Sequence, residues 1–287
     1  MSLDLHIHSS HSDGTLDPCE IVQLAIRKGL KGISITDHDS ISSYEKVVSK
    51  HESKEIKILA GVELSVTYED VNVHLLGYGF DHNNSTLESA LRKIQNGRLE
   101  RNLRIIEKIN DQGIPISEKE RDIFISCPHY GRPHIAKLLV QKKVVRSVRA
   151  AFKEYLAPGG KAYISRPIFH LQKAVDVLHK AGGIAIVAHP FNIARKNMEM
   201  EQLLDSLKDT GIDGVEAYYP THSKKMSRYL LDYCARKNLI CSGGSDYHGD
   251  LRPGTYLAGG KNVFVPESVL QDILSRRALY VQDVVKD

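Results

Sequence analysis

Three side chains near the start of the chain are of types and spacing that can do chemistry. His6 and His8 sit in Leu-Asp-Leu-His-Ile-His, an alternating run that a β-strand presents with both imidazoles on one face. Asp13 follows in a Ser-Asp-Gly turn. Imidazole nitrogens with a carboxylate oxygen are the donors that a borderline divalent metal prefers. Donors of the same kind recur down the chain. Ile33 to Thr36 reads as a short apolar strand that breaks into Asp37-His38-Asp39. Leu59-Ala-Gly-Val-Glu-Leu-Ser delivers Glu63, and Val71-Asn-Val-His-Leu-Leu-Gly delivers His74. Gly183-Ile-Ala-Ile-Val-Ala-His-Pro ends at His189. Ile240-Cys-Ser-Gly-Gly-Ser-Asp-Tyr-His ends at Asp246 and His248, again spaced by two.

Any one of these residues alone reads as a hydrogen-bonded residue at a strand end. Together, each at or near the carboxyl end of an apolar run, they read as ligands converging where wound strands end. Nine candidates (His6, His8, Asp13, His38, Glu63, His74, His189, Asp246 and His248) are too many for one ion, so at least two metals are expected. The mixed His/carboxylate set accepts Mn, Fe or Zn without choosing among them. A cluster of divalent ions lowers the pKa of bound water towards ~7 and neutralises charge on phosphoryl oxygens. That is the chemistry of phosphate-ester hydrolysis by metal-activated hydroxide, with no protein nucleophile. Asp37 and Asp39 are placed to orient His38 through its other ring nitrogen, or else to cap the helix that follows.

The elements that must hold these residues alternate. Pro18 to Gly29 reads as an amphipathic helix with Ile21, Leu24, Ala25 and Lys28 at helical spacing. A strand at 32–36, a helix at 41–53, strands at 57–66 and 71–79 and a long helical stretch from Ser85 to Gln112 follow. Later come helix 170–181, strand 184–188, helix 199–209, strand 213–218, helix 223–237 and strand 239–243. Strand–helix alternation predicts a mainly parallel sheet, most economically closed into a barrel. Residues 98–166 break the pattern with helix-like runs (Leu99 to Asn110, His134 to Lys143, Val148 to Leu156) and many basic residues. The expected organisation is a catalytic barrel from 1–97 and 167–287, with an inserted helical subdomain at 98–166 projecting over the catalytic rim. A peripheral decoration with a solvated basic face is the plainer alternative.

Several motifs together resemble those of the polymerase and histidinol phosphatase (PHP) family. They are His-Ile-His with Ser-Asp-Gly, Thr-Asp-His-Asp, Gly-Val-Glu-Leu-Ser, Val-His-Leu-Leu-Gly-Tyr, Ala-His-Pro and Ser-Asp-Tyr-His, running from residue 3 to about residue 250. The chain looks most like the branch that hydrolyses nucleoside 3',5'-bisphosphates and trims 5'-phosphorylated oligonucleotides. Asn-Gly-Arg-Leu-Glu-Arg-Asn, Gly-Arg-Pro-His-Ile-Ala, Tyr-Leu-Ala-Pro-Gly-Gly-Lys-Ala-Tyr and Tyr-Tyr-Pro-Thr-His-Ser carry that narrower likeness. The resemblance implies an α/β fold, a distorted (β/α)7 barrel with an inserted small helical subdomain. It also implies a three-metal arrangement: His6, His8, Glu63 and Asp246 on one ion, Asp13, His38 and His248 on a second, and Glu63, His74 and His189 on a third. Asp246 and His248 are then catalytic as well as ligating.

The insertion supplies candidates for substrate. Arg98, Arg101 and Asn102 lie on adjoining turns of one predicted helix, Arg98 and Asn102 four apart. Arg132 and His134 open another helix in Gly-Arg-Pro-His, where free N–H groups and a guanidinium both favour anions. A second phosphate held there would explain why a barrel phosphatase carries an insertion. His222 is a candidate leaving-group acid or phosphate ligand, with a structural hydrogen bond as the alternative.

Composition bounds the rest. At 287 residues, with 41% hydrophobic and 26% charged residues, the chain has the make-up of an ordinary soluble globule, and a net charge of +4 suits an anionic substrate. No apolar run approaches the roughly 18 residues of a membrane span, and the first strand starts too soon for a signal peptide. Cys19, Cys127, Cys234 and Cys241 lack C-x-x-C spacing, which fits a reducing cytoplasm. Phosphate-binding-loop and nucleophile-elbow motifs are absent, and no basic–aromatic alternation offers a platform for long single strands. The expected substrate is a small nucleotide or a short 5'-phosphorylated RNA, with no membrane and no obligate protein partner. The alternatives are a small-metabolite monoester phosphatase, such as one for histidinol phosphate, and a non-catalytic PHP scaffold in a replication complex. Intact donors at all nine positions argue against the scaffold.

Overall fold

The computed structural model describes residues 3–50, 55–69, 71–127, 130–165, 169–193, 198–252, 254–259 and 263–284. Strand β1 (Leu3–Ile7) is buried along its whole length. Leu3 and Leu5 pack with Leu76, Tyr78, Ile184 and Ile186, and Ile7 packs with Ile21, Val22, Ile33 and Ile35. The period of two therefore turns Asp4, His6 and, just past the strand, His8 to the opposite face. β1 pairs in parallel with β2 (Gly32–Ile35), and β2 with β3 (Lys57–Ile58). A second sheet has the order β4 (Gly61–Tyr68), β5 (Val71–Tyr78), β6 (Ile184–Val187), β7 (Gly214–Tyr218) and β8 (Ile240–Gly243). Here β6, β7 and β8 are parallel, while β5 runs antiparallel to both β4 and β6.

The helices lie between strands. α1 (Pro18–Arg27) starts at Asp17, whose carboxylate accepts from Cys19 N while Glu20 reaches back to Asp17 N, a reciprocal cap that fixes the helix start. α2 (Ser42–Lys50) follows β2, and α3 (Ser85–Asp111) follows β5. α4 (Glu118–Ser126), α5 (Arg132–Gln141) and α6 (Val148–Ala151), the last running on into a π-helical turn at Phe152–Leu156, continue the chain. α7 (Leu171–Lys180), α8 (Met200–Lys208) and α9 (Lys224–Lys237) precede β6, β7 and β8, and α10 (Ser268–Val284) comes last. The chain divides into two compact units, one of Met1–Ala90 with Phe169–Asp287 and the other of Leu91–Ile168. The second has its own core, including Ile105, Ile106, Ile109, Leu139 and Leu156, and no strand among its described residues. Among the described residues no helix is long and apolar enough to cross a membrane.

The sheet differs from the expected closed, mainly parallel barrel. Among the described residues there are two sheets, and no continuous ladder closes them. Their edges are bridged, among the described residues, at Ile7↔Tyr247 and His38↔Glu63. The ladder fails where polar donors replace apolar strand residues. β2 stops before Asp37-His38-Asp39, with Asp39 at φ 54°, and the β1–β2 and β7–β8 registers slip at Asp4/Ile7 and Glu216/Tyr218. The run expected as one strand at 57–66 is two. Leu59 N still bonds Ile33 O, but Ala60 O accepts from Gly79 N, so the chain changes sheets at this dipeptide.

Candidate metal centre

All nine sequence-predicted donors lie in the first unit. His8 directly follows β1, His38 follows β2, His189 follows β6, and Asp246 and His248 follow β8. Glu63 and His74 depart from the expected strand-end placement, because they sit inside the long hairpin strands β4 and β5. Glu63 pairs with Leu76 and Ser65 with His74, so Glu63 and His74 are diagonal neighbours on one face. Two of the donor residues have left-handed backbone, His189 at φ 30° and Asp246 at φ 49°. Such conformations cost about 1–3 kcal/mol each and need fixing from outside. Here His189 N donates to Glu216 at 2.7 Å and Asp246 N donates to His6 O at 2.8 Å.

Glu63 is the hub. Its Oε2 lies 3.1 Å from His8 Nε2, 3.1 Å from His38 Nδ1 and 3.4 Å from His6 Nε2. Its Oε1 faces the other way, 2.8 Å from His74 Nδ1 and 3.2 Å from His189 Nε2. Asp246 Oδ1 lies 3.3 Å from His8 Nε2, 3.4 Å from His248 Nδ1 and 3.6 Å from His6 Nε2. Asp13 approaches His248 Nε2 at 3.3 Å, His8 Nδ1 at 3.5 Å and His38 Nε2 at 3.8 Å. Three overlapping groups result among the described residues: His8, Asp13, His38 and His248; His6, His8 and Glu63; and His38, Glu63 and His74. In each group the donor atoms lie within 4.8 Å of one another.

The donor set fits divalent cations on two grounds. His6 Nε2, His8 Nε2 and His38 Nδ1 are buried and make no hydrogen bond of acceptable geometry, although all three crowd one carboxylate oxygen. Buried polar atoms are otherwise satisfied almost without exception. Charge balance is the second ground. Burial raises the pKa of Glu63, but His38, His74 and His6 outweigh it and hold the carboxyl well below its usual range. Asp13 and Asp246 are likewise held well below the usual range against the effect of burial, Asp13 chiefly by His38 and His248 and Asp246 chiefly by His6 and His8. Burial favours a neutral His8, yet Asp246 and Glu63 raise it to about 10, whereas burial wins at His38 and lowers it to about 3. The buried Glu63 and Asp246 and the part-buried Asp13 are thus held as carboxylates among the imidazoles, the form in which they can ligate a cation.

The residues 4–251 match the PHP domain. The chain belongs to the PHP family. It is 30% identical to a 5'-3' exoribonuclease of Haemophilus influenzae over 93% of this chain and 96% of that protein. It is 32% identical to a 3',5'-nucleoside bisphosphate phosphatase of Chromobacterium violaceum over 91% of this chain and 90% of that one. A crystal structure of a candidate metal-dependent phosphoesterase from Bifidobacterium adolescentis superimposes with a TM-score of 0.83 at 30% identity, covering 96% of each chain. This PHP protein is thus a metal-dependent hydrolase of the phosphoesterase type, with a mixed α/β fold.

The PHP centre has partners that the sequence reading missed. Glu216, fully buried in β7, accepts from His6 Nδ1 at 2.8 Å with one oxygen and from His189 N with the other. The first bond fixes the His6 tautomer and leaves Nε2 as the donor atom. A charged residue in the apolar run Gly-Val-Glu-Ala-Tyr was the available signal. Tyr219 donates to Asp246 Oδ2 at 2.6 Å, and Arg252 donates to the same oxygen. Asp37 does not reach His38, whose ring nitrogens face Glu63 and Asp13. It accepts instead from Ser9 N, Ser9 Oγ and Ser12 Oγ, bracing the loop that carries Asp13. Asp39 accepts from Ser65 N, tying this loop to β4. For Glu216→Gln we expect manganese affinity to fall roughly ten- to a hundredfold, as other losses of an outer partner do. Titration of the metal-free protein with Mn reads this, and unchanged affinity would show that His6 needs no such support.

His222 is buried in the same unit. Its Nδ1 donates to Ala217 O at 3.1 Å, and Nε2 has no hydrogen-bond partner among the described residues. Burial lowers its pKa, which disfavours the protonated form that a leaving-group acid needs. The remaining candidates lie in the helical unit. Arg101 Nε donates to Ile164 O at 2.9 Å, and Arg132 donates to Leu156 O at 3.0 Å while lying over the Phe152 ring. Asn102 Nδ2 donates to Tyr130 O at 2.7 Å, and its buried Oδ1 has no hydrogen-bond partner among the described residues. His134 Nδ1 accepts from Gly131 N at 3.2 Å and its ring stacks on Tyr130, with centroids 3.8 Å apart. Arg98 lies on α3 beside Gly131, whose added Cβ would sit 3.0 Å from the guanidinium.

Proposed function

We propose that this PHP enzyme removes phosphate from small nucleotides, with nucleoside 3',5'-bisphosphates as the leading substrate and the 5' end of short phosphorylated RNA as an extension. The observation that carries the reading is the two-sided Glu63, one oxygen towards His6, His8 and His38 and the other towards His74 and His189. The names of the relatives supply the nucleotide part. In this reading His6, His8, Glu63 and Asp246 hold one ion, Asp13, His38 and His248 a second, and Glu63, His74 and His189 a third, drawn from Mn, Fe or Zn. We read the two sheets, bridged at Ile7↔Tyr247 and His38↔Glu63, as a (β/α)7 barrel distorted and interrupted at the donors.

Bound divalent ions supply an acidic water and neutralise phosphoryl charge. The chain's own residues do the positioning. Glu216 sets His6, and the Asp246 carbonyl accepts from His248 Nδ1 at 2.8 Å, leaving His248 Nε2 towards Asp13. Tyr219 and Arg252 hold Asp246, and Asp37 holds the Asp13 loop. His222 takes a structural role, with Nδ1 donating to Ala217 O. Arg98, Arg101, Asn102, Arg132 and His134 bind a phosphate that is not cleaved.

Arg132→Ala then separates binding from bond-breaking. Loss of a charge-assisted contact costs about 1.5–3 kcal/mol, roughly ten- to a hundredfold in catalytic efficiency. Adenosine 3',5'-bisphosphate should show that loss, and p-nitrophenyl phosphate, with one phosphate, should not. Equal losses on both would place Arg132 at the scissile phosphate or in the scaffold of its unit. The reading as a whole is tested by assaying metal-loaded protein on adenosine 3',5'-bisphosphate, histidinol phosphate and a 5'-phosphorylated oligonucleotide. Preference for the bisphosphate is expected. Preference for histidinol phosphate would replace the substrate, and inactivity on all three would remove the enzyme reading of this site.

A further inference from the structure

Asp246 presents its two oxygens to different surroundings. Oδ1 faces the imidazoles of His6, His8 and His248, whereas Oδ2 accepts from the Tyr219 hydroxyl and from one guanidinium nitrogen of Arg252. The other terminal nitrogen of Arg252 donates to Tyr219 Oη at 3.0 Å, and the guanidinium lies 6.0 Å from the centre of the Tyr219 ring. Tyr219, Asp246 and Arg252 thus close a ring of hydrogen bonds against the metal centre. Tyr219 is fully buried, but the Arg252 side chain is 39% exposed. A guanidinium carries five N–H donors in a planar fork. Two are given to Asp246 and Tyr219, and the remaining three meet no partner among the described residues.

The loop that carries Arg252 is braced. Gly249 takes φ 63°, and an added Cβ there would lie 1.9 Å from Thr15 Oγ1, so the turn sits directly on the Asp13–Thr15 segment. Asp250 N donates to Thr15 Oγ1 at 3.2 Å, and Thr255 Oγ1 donates to Arg252 O at 2.9 Å. A permanent cation is therefore fixed against the Oδ2 face of a donor carboxylate, on a side chain that is 39% exposed. Planar forks of this kind match the oxygens of a phosphoryl group.

We infer that Arg252 is a phosphate-binding residue of the centre. Its inner N–H groups hold Asp246 through Oδ2, and its outer N–H groups take oxygens of the phosphoryl group undergoing cleavage. The inference rests on the phosphoesterase reading of this site and adds a residue that the sequence motifs did not single out. It differs from a purely positioning role, in which Arg252 would act only by holding Asp246.

Calorimetric titration of inorganic phosphate into the Mn-loaded full-length protein tests it, with Mn affinity measured on the same samples. Arg252→Met should weaken phosphate binding roughly ten- to a hundredfold, while Mn affinity changes by less than that. Arg252→Lys should restore part of the phosphate affinity, because the charge returns without the fork. Phosphate affinity within about threefold of wild type in Arg252→Met, or loss of phosphate and Mn affinity in equal proportion in both variants, would overturn the inference. A wild-type protein that binds inorganic phosphate through Arg252 yet hydrolyses no nucleotide would leave it standing and overturn the proposed substrate instead.

Discussion

Glu63→Gln is expected to leave a folded chain that hydrolyses phosphate esters at least a thousandfold more slowly than wild type. The amide keeps the shape of the side chain but removes the charge that five imidazoles (His6, His8, His38, His74 and His189) approach within 3.4 Å. In the proposed arrangement, where Glu63 would serve two cations, the amide would also lack the anionic oxygens to do so. Losing about 4 kcal/mol of charge stabilisation at the phosphoryl group corresponds to roughly a thousandfold in rate. Folding should be spared, because Val62, Leu64 and Val66 bury the opposite face of the same strand. Steady-state kinetics with thermal unfolding of the same sample check both halves. Activity within tenfold of wild type would show that Glu63 is not the hub.

Asp246→Asn should be nearly as damaging to turnover, by two to three orders of magnitude (about 3–4 kcal/mol), and different in metal content. Asp246 faces His6, His8 and His248 but makes no close approach to His74 or His189. Its loss should therefore empty one position and leave the donors around His74 intact, whereas Glu63→Gln should weaken both sides. The substitution also leaves the Arg252 guanidinium without its anionic partner. Elemental analysis of the two variants side by side reads the contrast. Identical metal contents would argue against a division of labour between the two oxygens of Glu63.

The donor residues were legible because their chemistry is local. His6 and His8 share a face through the period of two, and turn residues mark where β1, β2, β6 and β8 end. Glu63 and His74 were legible as residues but not in their placement. Nothing in 57–66 announces that the chain changes sheets at Leu59–Ala60, since that switch is made by long-range bonds to Ile33 and Gly79. The antiparallel course of β5 escaped for the same reason, because periodicity carries no direction. Glu216, Tyr219 and Arg252 act through partners far away in sequence, with Glu216 holding His6 from 210 positions on. Asp37 was assigned to His38 from adjacency, whereas its carboxylate turns to Ser9 and Ser12. α4 and α10 were not foreseen at all. Their apolar residues are sparse or interrupted, and their helical state depends on packing within each unit.

The central claim is that these nine residues form a multi-ion centre that hydrolyses phosphate esters. Its most direct test is a titration of Mn into chelator-treated, full-length protein, following bound metal by elemental analysis and hydrolysis of adenosine 3',5'-bisphosphate on the same aliquots. At least two ions should bind per chain, with activity absent at the start and rising as they bind. Less than one ion per chain at saturation, or full hydrolysis while the chelator is still present, would contradict the account.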